Sequence, residues 1–376
     1  RILRGKNEKN NLIKIFLKRN TMPKEDIMSM NEQELECFVS SIGEKPYRAM
    51  QLFSWMSKGA PIDEMTNLPK DFREKLKEKA DYRLPKIEKK FVSKIDGTIK
   101  YLMSLCDGEC IESVFMKYEH GNTLCVSSQA GCAMGCKFCA STLNGRVRNL
   151  TPSEILGQVA AATRDTGERI SGIVMMGIGE PLDNYDNVTR FLHLVSAEAG
   201  LGIGLRHISI STCGLVPRIY DLAKEGLGVT LSVSLHASDD ETRSKLMPIN
   251  KKYKIADLLE ACRTYFLKTG RRVSFEYTLI SGENDSKKDA ARLAAVIKNG
   301  MRSPAHVNLI MLNEVAESGL KSVDRERARS FSEELCRLGV NATVRRRLGS
   351  DIKASCGQLR LRKLSENEQI TAEQNF

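Results

Sequence analysis

From Thr123 onward the sequence alternates between strand-like and helix-like segments, and this alternation constrains the fold more than any other feature. The strand-like runs cover residues 123–128, 172–176, 206–212, 228–235, 272–280, 306–311 and 342–345. Helical patterns lie between them at 152–164, 184–197, 216–225, 255–267, 287–298 and 325–338. Alternating β and α units predict parallel strands inside a layer of helices. The expected fold class is therefore α/β, a TIM-like barrel that is either full or partial with a (β/α)6 arrangement.

A small helical domain is predicted ahead of this barrel. Residues 31–80 hold three helix patterns, whose start signals are Asn31, Pro46 and Pro69. Residues 89–117 then alternate in strand fashion around an Asp96-Gly97 hairpin turn. The expected organisation is a basic tail at 1–30, a helical accessory domain at 31–92, linking strands at 93–122, the barrel at 123–362 and a tail at 363–376.

The chain is basic, with 58 lysines and arginines against 47 acidic residues and a net charge of +11. This excess favours a polyanionic partner, nucleic acid before a membrane surface, although a basic protein without such a partner stays an alternative. Residues 1–22 carry a single acid, Glu8, among their cations, which fits either a tail contacting RNA or an organellar targeting peptide. A cytoplasmic location is expected, or an organellar one in the second case. The sequence holds no run of 18 apolar residues, so no membrane span is predicted.

The cysteines predict a reducing environment and one metal centre. Eleven cysteines are an odd number, and no signal-peptide pattern accompanies them, which argues against a disulfide framework. Cys132, Cys136 and Cys139 share one loop after the first barrel strand, and thiolates are soft ligands that suit zinc or an iron–sulfur centre. A structural zinc site needs a fourth protein ligand, for which His120 and Cys125 lack finger-like spacing.

Small and polar residues follow the next strands at the end of the barrel where such folds bind ligands. These positions are Gly179, Glu180, Ser211, Ser234, Leu235, His236 and Asn313. Because the carboxyl ends of parallel strands share one rim, we expect these residues to surround a common site together with the cysteine loop. Glycines let the backbone approach a ligand, and a carboxylate suits an ammonium group.

The spacing C-x3-C-x2-C, with Phe138 before the last cysteine, resembles that of the radical S-adenosylmethionine (SAM) superfamily. The resemblance implies that Cys132, Cys136 and Cys139 hold a [4Fe-4S] cluster, whose open iron binds the amino and carboxylate groups of SAM. An electron from the cluster then cleaves SAM to a 5′-deoxyadenosyl radical. The Gly-Glu pair at 179–180 resembles the motif that binds the SAM amino group, and the other rim residues are implied as further SAM contacts.

Longer phrases resemble one family within that superfamily, the dual-specificity rRNA/tRNA adenine-C2 methyltransferases called RlmN. They include Leu124-Cys-Val-Ser-Ser-Gln, Gly179-Glu-Pro-Leu, Met247-Pro-Ile-Asn-Lys-Lys-Tyr and Cys356-Gly-Gln-Leu, and in the helical domain Gly43-Glu-Lys-Pro-Tyr-Arg. The resemblance spans about residues 31–360 and implies methylation of carbon 2 of an adenine in 23S rRNA, at the peptidyl-transferase centre, and of adenosine 37 in tRNAs. The helical domain is then an RNA-binding accessory, and a monomer is expected.

The resemblance also implies three catalytic residues. Cys356 first takes a methyl group from one SAM, and a second SAM supplies the radical that abstracts hydrogen from the S-methyl group. The carbon radical adds to carbon 2 and tethers RNA to the enzyme. The adduct then loses an electron and the carbon 2 proton, for which Glu112 acts as the base, and Cys125 attacks the sulfur of Cys356. Two SAM molecules are used per turnover. An external reductant such as flavodoxin or ferredoxin supplies electrons, and the disulfide between Cys125 and Cys356 must be reduced again.

Two alternatives stay open at this point. A sister family that methylates carbon 8 of a 23S rRNA adenine and confers antibiotic resistance shares the same set of cysteines. From another class, a zinc-stabilised RNA-binding protein without chemistry would also retain the thiols and the basic charge. Ser350 and Lys353 depart from the acidic residues that relatives often carry beside the C-terminal motif.

Overall fold

Strands alternate with helices over most of the chain, in a computed structural model that describes residues 24–352, 354 and 360. In chain order the strands are β1 Glu25–Asp26, β2 Ala80–Asp81, β3 Lys86–Val92, β4 Ile99–Ser104, β5 Cys110–Tyr118, β6 Gly121–Cys125, β7 Gln129–Gly131, β8 Arg146–Asn149, β9 Ile170–Met175, β10 Ile208–Thr212, β11 Thr230–Ser234, β12 Val273–Leu279, β13 Ala305–Met311 and β14 Asn341–Val344. The α-helices are α1 Glu32–Ser41, α2 Arg48–Ser57, α3 Lys70–Lys79, α4 Pro152–Thr166, α5 Tyr185–Ser196, α6 Val216–Glu225, α7 Asp240–Leu246, α8 Ile255–Thr269, α9 Lys287–Met301 and α10 Arg325–Arg337.

A ten-stranded sheet forms the frame of the molecule, in the order β14-β13-β12-β11-β10-β9-β6-β5-β4-β3. Strands β6 and β9 to β14 run parallel to one another, as expected for strands joined by crossover helices. Among the described strands, β14 and β3 form no pairing that would close the sheet into a ring. The predicted α/β class and partial barrel with a helical N-terminal domain are therefore confirmed.

Three antiparallel strands, β3 to β5, extend the sheet beyond β6. They correspond to the predicted strand pattern around Asp96-Gly97, and the amide of Ser93 donates to the carbonyl of Thr98 at 2.8 Å to close that turn. The following turn, at Asp107-Gly108, brings β5 back beside β4. This extension places buried side chains of β4 and β5 next to the first parallel strand, β6.

Helix α4 begins with a capping box in the segment Thr151-Pro-Ser-Glu. The Thr151 side chain accepts from the amide of Glu154, and the Glu154 side chain accepts from the amide of Thr151. Two of the amides that a helix start leaves unpaired are thereby satisfied. The apolar face of α4, which includes Ile155 and Val159, is fully buried in the core.

The N-terminal domain packs on the barrel through one continuous hydrophobic core. Ile27 and Met28 are buried in that core, so folded structure begins before the expected boundary at residue 31. The side chain of Asp26 accepts from Ser153 Oγ at 2.7 Å, which joins the first residues of the domain to helix α4. Residues 1–23, the rest of the predicted basic tail, lie outside the described residues. No helix in the described part of the chain combines the length and apolarity needed to cross a membrane.

Candidate active site

The cysteine loop is closed at its base by a short strand pair that the sequence pattern does not predict. Strands β7 and β8 pair antiparallel, and residues 132–145 project between them with the three thiols. Gly131 adopts φ +81°, and a Cβ at this position would lie 2.0 Å from the carbonyl oxygen of Gly145. Because only glycine permits this approach, Gly131 fixes where the loop begins.

The thiols of the loop are largely removed from water. Cys132 and Cys136 are 7% and 8% exposed, and Cys139 is partly exposed. Burial raises the pKa of Cys132 to about 12. Burial and then the neighbouring thiols Cys139 and Cys132 raise the pKa of Cys136 well above its usual value. Metal binding to these residues would therefore release protons, since thiolates are the ligands.

The donor set of the loop is of the type that holds an iron–sulfur cluster. Within the residues that the structure describes, no three His, Cys, Asp or Glu side chains are arranged to hold a metal ion. The three thiols are nonetheless near enough to raise one another's pKa. Soft thiolates are the usual ligands of [4Fe-4S] clusters, which spread their ligands around several irons. Cys132, Cys136 and Cys139 are therefore suited to hold such a cluster.

Glu180 is buried beside the cysteine loop at the end of β9, with 3% of its surface exposed. One oxygen of its carboxylate accepts from the amide of Leu182 at 3.0 Å, and the other accepts from the amide of Cys213 at 2.7 Å. Burial raises the pKa of Glu180, against the opposing effect of the Cys213 hydrogen bond. The carboxylate thus joins the end of β9 to the end of β10, where Ser211 lies partly exposed.

Gly179 allows Glu180 to take this position. Its backbone has φ +108°, and a Cβ there would lie 2.6 Å from the Cβ of Gln129. The amide of Glu180 donates to the Gln129 side chain at 2.8 Å. The backbone at Gly179 therefore approaches Gln129, which lies just before the cysteine loop. This contact brings Glu180 to the end of the barrel where the cysteine loop lies.

His236 lies next to the cysteine loop at the end of β11. Its ring meets the ring of Phe138 edge-on, with 4.7 Å between the ring centres. His236 Nδ1 accepts from the amide of Thr278 at 2.9 Å, which leaves Nε2 as the protonated nitrogen of a neutral ring. Burial and the Arg243 charge lower the pKa of His236 to about 3. Leu235 beside it is fully buried, whereas Ser234 is partly exposed.

Arg243 organises two of these strand ends, and the sequence analysis did not single it out. Its fully buried guanidinium donates to the carbonyls of Cys213 at 2.8 Å, Ser234 at 3.0 Å and Leu235 at 3.1 Å. A charged side chain that is buried away from solvent needs hydrogen-bond partners such as these carbonyls. Its burial could have been predicted from spacing in the sequence. Arg243 lies three residues before Leu246 and so shares the apolar face of a helix.

Glu112 and Cys125 lie on one face of the sheet, on neighbouring strands. Val114 is the register partner of Cys125, and Glu112 lies two residues before Val114 on β5. Alternation along a strand therefore directs Glu112, Val114 and Cys125 to the same side. Glu112 is fully buried and is paired with Lys100, a residue that sequence reasoning missed. A lone lysine inside the apolar run Ile99-Lys-Tyr-Leu-Met was the signal.

A cavity of about 510 Å³ opens over this face of the sheet and includes Cys125 and Asn313 in its wall. Its apolar side is formed by Val114, Met116 and Met176. Ala354, near the end of the described chain, also lines it, while the predicted catalytic residue Cys356 lies outside the described residues. The sequence-predicted residues therefore form two adjoining groups, one around the cysteine loop and Glu180 and one around this cavity.

Family profiles match both parts of the chain. The Radical SAM superfamily matches residues 126–294, and the Ribosomal RNA large subunit methyltransferase N-terminal domain matches residues 25–81. The second match begins at the same place as the folded N-terminal domain, whose first strand is Glu25–Asp26.

Individual proteins similar to the chain cover nearly its full length. A probable dual-specificity RNA methyltransferase RlmN from Desulforamulus reducens is 51% identical over 351 residues, 93% of this chain and 99% of that protein. A protein of the same description from Clostridium acetobutylicum is 48% identical over 92% of this chain and 99% of its own length. A radical SAM methyltransferase from Sphaerobacter thermophilus superimposes with a TM-score of 0.84 at 41% identity, over 89% of this chain and 98% of that one.

Proposed function

The chain belongs to the RlmN family of radical SAM RNA methyltransferases, and from this membership we propose that it methylates carbon 2 of an adenine. The proposed substrates are 23S rRNA at the peptidyl-transferase centre and adenosine 37 of some tRNAs. The observation that carries the proposal is the cavity over β5 and β6, which has Cys125 in its wall and shares its sheet face with the buried Glu112.

Carbon 2 of adenine is electrophilic and has no lone pair to attack the methyl group of SAM. A polar displacement therefore fails, and the reaction needs a carbon radical. Membership of the superfamily implies a [4Fe-4S] cluster and SAM, which together supply a 5′-deoxyadenosyl radical when bound. Two SAM molecules per turnover are proposed, one as methyl donor and one as radical source.

The residues proposed to hold these groups surround one end of the barrel. Cys132, Cys136 and Cys139 would hold the cluster through their thiolates. Glu180, with Gly179, Ser211, Ser234, Leu235, His236 and Asn313, would hold SAM. The carboxylate of Glu180 is fixed by two backbone amides, so its unused lone pairs can accept from an ammonium group without reorganisation.

After the methylene carbon carried by Cys356 has bonded to carbon 2, the adduct must lose one electron, which a cluster held by Cys132, Cys136 and Cys139 would accept. Glu112 is proposed as the base that takes the carbon 2 proton. The Cys125 thiolate then attacks the sulfur of Cys356. The bond between that sulfur and the methylene carbon breaks, and the carbon keeps the electron pair and takes up a proton to become the methyl group. The disulfide between Cys125 and Cys356 is afterwards reduced by an external donor, and flavodoxin or ferredoxin is proposed as the source of electrons for the cluster.

Anaerobic reconstitution with iron and sulfide, followed by SAM, reductant and unmodified rRNA, tests this function. We expect 5′-deoxyadenosine in the small-molecule fraction and 2-methyladenosine in the digested RNA, both identified by mass spectrometry. A variant with all three loop cysteines replaced by alanine is the control and should give neither product. Detection of 8-methyladenosine would assign the chain to the sister chemistry. A protein that binds zinc and RNA but makes no 5′-deoxyadenosine would contradict the enzyme function altogether.

A further inference from the structure

Three consecutive arginines, Arg345, Arg346 and Arg347, form one wall of the cavity that contains Cys125. We propose that this arginine wall, defined by residues 345–347, binds the phosphodiester backbone of RNA next to the target adenine. The inference rests on the proposed function for the identity of the polyanion. It adds to that function a specific site for the phosphates, separate from the residues that carry the chemistry.

The cavity combines two kinds of surface that a nucleotide needs. The side formed by Val114, Met116 and Met176 is apolar and can contact the face of a base. The lining also includes three arginines against a single acidic residue, Glu314, and the Arg345 guanidinium reaches Met176 Sδ at 3.6 Å. Guanidinium groups bind phosphate oxygens through paired N–H donors, so these arginines suit phosphates. The volume of about 510 Å³ lies within the usual range of ligand pockets.

The arginine wall lacks the acidic ion-pair partners that several other surface arginines have. Arg329 and Arg337, for example, are paired with Glu333 at 2.7 Å and Glu334 at 2.6 Å. In residues 24–352, no carboxylate makes an ion pair with any of the three arginines of the wall. Arg345 acts on the buried Glu276, where burial raises the pKa of the carboxyl and the Arg345 charge opposes this larger effect. The charges of Arg346 and Arg347 have no ion-pair partner among residues 24–352 and remain available to a polyanion.

The segment that carries the wall is fixed at both ends, which reduces the entropic cost of binding. The amide of Arg345 donates to the carbonyl of Leu309 at 2.8 Å, continuing the sheet beyond β14. On the other side, the amide of Gly349 donates to the Asp96 side chain at 2.9 Å. Arg347 is further oriented by its hydrogen bond to Asn313 Oδ1 at 2.8 Å. Arg346 and Arg347 are both exposed, so an RNA strand can reach them.

SAM is the competing ligand for the arginine wall, because Asn313, a proposed SAM contact, also borders the cavity. None of Cys132, Cys136 and Cys139 lines this cavity. In the proposed function the carboxylate of SAM binds at the cluster held by those cysteines. It is therefore not available to the guanidinium groups of the arginine wall. RNA phosphate is therefore the anion that the arrangement favours, and SAM binding becomes an outcome to be measured.

The test measures the dissociation constant of an unmodified 23S rRNA fragment as a function of KCl concentration. The proteins compared are wild type, Arg346→Ala, Arg347→Ala and Arg346→Lys, with Arg329→Ala as the control. Arg329 is 80% exposed on α10 and lies outside the cavity. We expect each alanine variant of the wall to bind RNA about tenfold more weakly at low salt and to lower the salt slope by about 0.7–0.9. Arg346→Lys should keep most of the slope, and the control should match wild type.

A second RNA, with an abasic site in place of the target adenosine, separates phosphate contacts from base contacts. The loss of RNA affinity caused by Arg346→Ala should be the same for both RNAs if the arginine contacts phosphate. Unchanged salt slopes in the alanine variants, or a loss of SAM affinity with RNA affinity intact, would overturn the inference. If wild type methylates the RNA while the slopes stay unchanged, the inference fails and the proposed function stands. If wild type neither binds nor methylates RNA, both fail.

Discussion

The ammonium group of Lys100 lies 2.9 Å from the carboxylate of Glu112, and neither side chain is exposed to solvent. The two residues are diagonal neighbours, since Lys100 faces Val114 and Leu102 faces Glu112 in the register of β4 and β5. The amide of Arg360 also donates to Glu112 at 2.8 Å. The proposed base is thus held in one position on the same face of the sheet as Cys125. Lys100 is a positioning residue in this arrangement.

Lys100→Met should destabilise the protein strongly, because it leaves the Glu112 carboxylate buried without its cation. Breaking one partner of a buried ion pair costs about 3–5 kcal/mol of unfolding free energy. Urea unfolding of the single and double variants measures the effect. The double variant Lys100→Met/Glu112→Gln removes the uncompensated charge as well and should recover much of the loss. Additive losses in the double variant would show that the two side chains are not coupled.

Cys125→Ala should convert the enzyme into one that stays covalently attached to its RNA. The thiol that attacks the sulfur of Cys356 is then missing, so the tether formed at Cys356 is not released. Denaturing gel electrophoresis of the reaction, with and without ribonuclease, would show the adduct. Cys336→Ala, which removes an exposed thiol on α10, is the matched control and should release methylated RNA normally. Free methylated RNA from the Cys125→Ala protein would refute the role.

Arg243→Leu should lower the unfolding free energy by about 3–5 kcal/mol, because it leaves three carbonyls at the ends of β10 and β11 without their donor. SAM affinity should fall with it, since Ser234 and Leu235 are proposed contacts. Urea unfolding and equilibrium dialysis measure the two effects. Arg218→Leu removes a half-exposed surface pair with Asp221 and should change stability by less than about 1 kcal/mol. An equally small change for Arg243→Leu would argue against its structural role.

His236 should make the protein less stable as the pH falls from 7 to 5. Its pKa is about 3 in the folded protein and about 6.5 in the unfolded chain, so the unfolded chain binds the extra proton in this window. The stabilising contribution is complete above about pH 6.5 and is lost as the pH falls toward 3. Between pH 7 and 5 we expect a loss of about 2 kcal/mol in wild type that is absent in His236→Gln.

Urea unfolding of the cluster-free protein at both pH values checks this expectation. Glutamine at position 236 can still accept from the Thr278 amide, so it removes the titration while keeping the hydrogen bond. Equal pH dependence in wild type and His236→Gln would mean that His236 does not titrate far below its usual pKa in the folded state.

Local features of the fold were predictable because their causes lie in neighbouring residues. The capping box at Thr151, the start signal at Asn31 and the strand–helix alternation all depend on side chains a few positions apart. The shortest elements escaped prediction, among them α7 with seven residues and the strand pair β7 and β8. Segments of this length hold too few residues for a periodic pattern to be recognised.

The sequence by itself determined the alternating α/β architecture, the cysteine loop after the first barrel strand and the family resemblance that names the site residues. Only the tertiary structure decided which buried charges meet. The contact between Lys100 and Glu112 depends on the register of β4 and β5, and the contacts of Arg243 depend on where β10 and β11 end. The arginine wall comes to face Cys125 for the same reason. Residues far apart in the chain are brought together by packing and strand pairing, and no local pattern records which of them will touch.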